Sequence, residues 1–64
     1  MDKITLERLI FMKKSLEEQI LSARDIITYI SYDHVAVLAI KHIIQGLQSS
    51  ILEIAFLQEK ELRS

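Results

Sequence analysis

Residues 31–40 read Ser31-Tyr32-Asp33-His34-Val35-Ala36-Val37-Leu38-Ala39-Ile40, and the folding of this stretch decides whether the chain makes two helices or one. Asp33 is a good N-cap, because its carboxylate can accept hydrogen bonds from the unpaired N–H groups that open a helix. Tyr32 and Val37 fall at the N′ and N4 positions of a hydrophobic staple. The chain has no Pro and a single Gly, so helix is expected on both sides of this point. A connection of two or three residues between long helices folds them back on each other. The expectation is an all-α antiparallel two-helix hairpin with arms at about 3–30 and 34–61, each roughly 40 Å long at 1.5 Å per residue.

The apolar rhythm on either side supports this reading. Leu6, Leu9, Met12, Leu16, Ile20, Ala23, Ile27 and Ile30 recur at helical spacing and form one stripe, with Lys3, Glu7, Lys14, Glu18 and Asp25 on the other side. Lys3/Glu7, Lys13/Glu17 and Lys14/Glu18 stand four residues apart, the spacing of helical ion pairs. In the second arm Val37, Ile40, Ile44, Leu47, Ile51 and Ile54 alternate by three and four, the pattern of a coiled-coil seam. Ser15-Leu16-Glu17-Glu18 has the form of a capping box. It lies inside an unbroken apolar rhythm, so it is read as chance.

One rival architecture keeps the chain straight. Leu9, Leu16, Ala23, Ile30, Val37, Ile44 and Ile51 hold a single heptad position through the proposed turn, as in one continuous helix of a parallel coiled coil. The matching positions of the other seam row include Gln19 and Asp33. A buried Asp at mid-chain is costly unless the helix breaks there. The hairpin is therefore the preferred reading.

Length and composition narrow the function classes. The 64 residues allow one domain, spanning 1–64. A chain this small buries only about 60% of its unfolded surface and usually needs a disulfide, a metal or an oligomer for stability. It has no Cys, which removes disulfides and thiolate metal sites and suits a reducing compartment. The net charge of −1, from eight basic and nine acidic residues, argues against a nucleic-acid binder. An RNA-binding hairpin dimer accordingly ranks low. The start Met1-Asp2-Lys3-Ile4-Thr5-Leu6 lacks the apolar core of a signal peptide. His42 to Leu52, an uncharged run holding two Gln, falls short of the ~20 residues of a membrane span. A cytoplasmic protein without a span is expected.

No catalytic constellation is legible. His34 and His42 stand eight apart with no carboxylate or second His at a ligand spacing. The lone Gly46 excludes phosphate-cradling loops and a nucleophile elbow. A two-helix hairpin scarcely provides a pocket. No catalytic residue, cofactor or metal site is assigned, and an enzyme is not expected.

What remains is the second arm, which is apolar on more of its circumference than one partner helix covers. Between Val35 and Leu57 it carries only two charges, Lys41 and Glu53. Beside its seam lies a shoulder of small residues, Ala36, Ala39, Gly46 and Ser50, with Ile43 among them. The shoulder suits either a partner helix or tight packing of the first arm. Behind the seam lies a second patch of Leu38, Leu52 and Phe56. Ile10, Phe11, Leu21 and Tyr29 leave the stripe of the first arm in the same way. Burying even four such side chains contributes about 6–12 kcal/mol before entropy, so association is expected.

The size, the matched arms and the stretch Leu47-Gln48-Ser49-Ser50-Ile51-Leu52-Glu53-Ile54-Ala55-Phe56-Leu57 resemble the small YscE-like proteins of bacterial type III secretion, a group that includes the SsaE and EscE proteins. The resemblance implies a helical-hairpin co-chaperone. Such a protein joins a tetratricopeptide-like chaperone, and the pair holds the needle subunit unpolymerised in the cytoplasm. It also implies a partner surface on Ile40, Ile43, Leu47, Ser50, Ile51, Ile54 and Leu57, to which the residues themselves add Leu38, Leu52 and Phe56. The competing expectation is a homodimeric four-helix bundle acting as a regulator or adaptor.

Overall fold

The computed structural model describes residues 3–63. They form α1 (Lys3–Tyr29) and α2 (His34–Arg63), joined by residues 30–33. The molecule measures 49 × 14 × 10 Å, whereas an unbroken helix of this chain would reach about 90 Å. The two helices therefore lie side by side, and the continuous-helix alternative is excluded.

Backbone chemistry at the turn explains why the helix breaks where it does. Ile30 N–H still donates to the Ile26 carbonyl at 3.1 Å, and Asp33 N–H donates to Ile30 O at 2.9 Å, which closes the end of α1. Asp33 then opens α2. Its Oδ1 accepts from Ala36 N–H at 3.1 Å and its carbonyl accepts from Val37 N–H at 3.0 Å, as an N-cap residue does. Among the described residues none has a positive φ, so this turn needs no glycine. The staple expected beside the cap does not form, because Tyr32 is 84% exposed.

The seam runs where the spacing places it. Ile20, Ala23 and Ile44 form the buried centre, with Ile27, Ile40, Leu47 and Ile51 packed against it. Ile54 is the most buried of the described residues, at 5% exposure. Leu6, Leu9, Leu16, Ile30 and Val37 extend the seam as half-buried side chains. Met12 departs from the expected stripe and is 53% exposed, while the adjacent Lys13 is half-buried. Near the open end of the hairpin the seam has drifted by a residue, and the Lys13 methylenes can lie along it with the ammonium in water. The three ion pairs expected on α1 are not closed. Exposed pairs of that kind gain little over their hydration. On α2, Arg63 Nη2 meets Glu59 Oε1 at 2.6 Å.

This core is thin. Among the described residues no large side chain is fully buried. The accessible surface is 5200 Å², against about 10,700 Å² for an unfolded chain of this mass. Folding thus hides about half of the surface, less than the ~60% of compact domains this small. A rod of two helices has one seam and no second layer.

Candidate protein-docking faces

The ten residues marked from the sequence as a partner surface do not stand together. Ile54 is buried, and Ile40, Leu47 and Ile51 pack against the core. These four hold α1 to α2 and are committed within the chain. Ser50 is half-buried and its Oγ–H donates to the Gly46 carbonyl at 3.1 Å, a hydroxyl turned back onto its own helix. The remaining five, Leu38, Ile43, Leu52, Phe56 and Leu57, are exposed. They fall on opposite sides of the seam.

At about 100° per residue, Leu38, Leu52 and Phe56 share one side of α2, and Ile43 and Leu57 share the other with Ala39, Gly46 and Ser50. Because the two helices run in opposite directions, the same rotation carries Ile10 and Leu21 of α1 toward the first side. It carries Met12 and Ile26 toward the second. The faces differ in charge. The first holds Lys14, Glu17, Arg24, Lys41 and Glu59 among its apolar residues. The second holds Ser15, Gln19, Ala39, Gly46 and Ser50 between its apolar residues, with no charge from Met12 to Ile26 of α1 or from Ala39 to Ser50 of α2 on that side.

Gly46 settles how the small-residue shoulder relates to the first arm. A Cβ built there meets nothing within 4 Å. Tight packing of α1 therefore does not require the glycine, although a mid-helix Gly costs about 1 kcal/mol relative to Ala. At Ala39 and Gly46 the shoulder is open to solvent, while Ala36 and Ser50 are half-buried.

Elsewhere the chemistry is sparse. His34 and His42 are exposed. Among the described residues no three His, Cys, Asp or Glu side chains are grouped closely enough to hold a metal. A shallow depression of about 320 Å³ is lined by Phe56, Glu59, Lys60 and Arg63, all from α2. It is bordered by charge and lacks the nucleophile–base pairing of a reactive site. By length and composition α2 is also apolar enough to cross a membrane, with an 18-residue window of mean hydropathy 1.4. The uncharged run from His42 to Leu52 is by itself shorter than a span. A window that tolerates up to two charged residues spans a longer stretch than that run. Signal sequences and the mostly buried core helices of soluble proteins meet the same criterion.

The exposed side chains thus define a helical hairpin with two unlike apolar faces, and no family is assigned beyond that architecture. No family model matches the chain, and searches of curated proteins and of solved structures return no match.

Proposed function

We propose that this chain is a small non-enzymatic protein-binding hairpin, docking through the Leu38–Leu52–Phe56 side of α2. One observation carries the reading. Leu52 and Phe56 are 70% and 67% exposed, and the seam is complete without them. Large apolar side chains grouped on one side of a thin rod, rimmed by Lys41 and Glu59, have the make-up of an interface with apolar anchors and a charged rim. Leu38, Gln45, Leu52 and Phe56 follow the helix-in-groove spacing, in which the anchors supply affinity and the flanking charges fix register.

The resemblance to YscE-like proteins gives the proposal its specific form. The hairpin is a cytoplasmic co-chaperone that joins a tetratricopeptide-like chaperone to keep a type III secretion needle subunit unpolymerised. Stacked helix pairs of such a chaperone make an extended concave surface, against which a thin rod of two helices can lie. A membrane-inserted α2 is disfavoured on physical grounds. It would strip α1 of the cover over Leu9, Leu16, Ile20, Ala23 and Ile27.

Co-expression with the chaperone and the needle subunit from the same cell tests this. Wild type should yield a soluble complex of the three. Leu52→Asp and Phe56→Asp should lose the chaperone while keeping wild-type helicity, because neither residue supports the seam. Equal capture by wild type and both variants would remove this face, and no capture by wild type would remove the co-chaperone reading.

A further inference from the structure

We propose that the other side of the hairpin, carrying Met12, Ile26, Ile43, Gly46 and Leu57, is a two-fold interface with a second copy of this chain. Surface area carries the argument. A compact protein of 7.4 kDa exposes about 4,200 Å², and this hairpin exposes 5200 Å², because a rod of 49 × 14 × 10 Å has too much side for its mass. Two separate copies expose about 10,400 Å². A compact particle of twice the mass exposes about 7,000 Å². A pair that compact would hide about 3,400 Å² in total, within the range of obligate homodimers. Per chain this is about a third of the surface, which one broad side of a rod can supply.

The choice of side follows from charge. A two-fold contact lays each patch against its own copy, so any charge at its centre meets its like. The Leu52 side carries Lys14, Glu17, Arg24 and Lys41, and charges of this kind are depleted from the cores of interfaces, where they would lose their hydration. The Ile43 side is free of charge along its middle and offers Ile43, at 54% exposure, beside the open surface over Gly46. Two backbones can approach closely there. This assignment is independent of the partner-docking reading, which uses the opposite side.

Light scattering on the full chain at micromolar to hundred-micromolar concentration gives the first measurement. Wild type should have twice the mass of one chain. Ile43→Arg should have the mass of one, and Leu52→Arg on the opposite side should remain double. The second measurement exploits the absence of native Cys. Gly46→Cys and Ser50→Cys, one turn apart at the middle of the face, should form a disulfide-linked dimer under mild oxidation, whereas Leu38→Cys and Phe56→Cys should not. Crosslinking decides the matter if Ile43→Arg loses its helicity along with its mass. A wild type that is monomeric throughout, a mass above two chains, or crosslinking confined to Leu38→Cys and Phe56→Cys would overturn the proposal.

Discussion

Ile54 and Leu52 are two residues apart on the same helix, and truncating each to Ala should have very different consequences. Ile54 is 5% exposed and Leu52 is 70% exposed. Ile54→Ala removes buried methyl and methylene groups and leaves a gap that two rigid helices cannot fully close, at a cost of about 2–5 kcal/mol. A 64-residue chain at 0.05–0.15 kcal/mol per residue has a total stability of about 3–10 kcal/mol. The single change therefore removes about a fifth of the stability or more, and for a chain at the low end it removes the fold. Leu52→Ala takes away mostly solvated surface, so its effect should stay within about 0.5 kcal/mol. Urea unfolding followed by far-UV circular dichroism measures both, on chains held at one concentration so that association does not enter the comparison. Similar losses for the two variants would refute the assignment of the seam. A larger loss at Leu52 would mean that α2 faces α1 with its other side.

The cap and the membrane question yield further expectations. Asp33→Ala should destabilise by about 1 kcal/mol, with Asp33→Asn close to wild type, since either side-chain oxygen can accept from Ala36 N–H. For a domain of this size that loss corresponds to a drop of about 4–8 °C in melting temperature by calorimetry. Glu59→Gln should change stability by less than about 0.5 kcal/mol despite the short Arg63 contact, because both groups are largely exposed and water competes for them. Chain mixed with neutral lipid vesicles should stay at the bottom of a flotation gradient. Flotation of the folded chain would instead support α2 as a membrane helix.

Much of the architecture was legible before any coordinates. The three–four alternation from Val37 to Ile54 specifies a seam because side chains on a helix return to one face at that interval. Asp33 specifies the break because a carboxylate is worth more accepting helix-opening N–H groups than buried in an apolar row. The ten residues marked as one partner surface are divided by the fold between the seam and the exposed faces. The resemblance marked Ile40, Leu47, Ile51 and Ile54 as partner contacts, and all four are used within the chain. Leu38, Leu52 and Phe56 were read correctly as a separate patch because their angular offset from the seam is large. Met12 was misplaced, since a one-residue drift near the hairpin's open end lies beyond the resolution of a periodicity count.

By itself, then, the sequence determined that there are two helices, where they part, and that their apolar content exceeds what two helices can cover. These properties are local or additive: capping, periodicity and total apolar surface do not depend on which helix lies where. Only the tertiary structure decided which apolar residues the seam consumes and which stay in water. It also showed that Gly46 stands open to solvent rather than against the first arm and that the two leftover faces differ in charge. Those outcomes depend on the rotation of each helix about its own axis. That rotation is set only when α1 and α2 pack and their side chains must share one narrow seam.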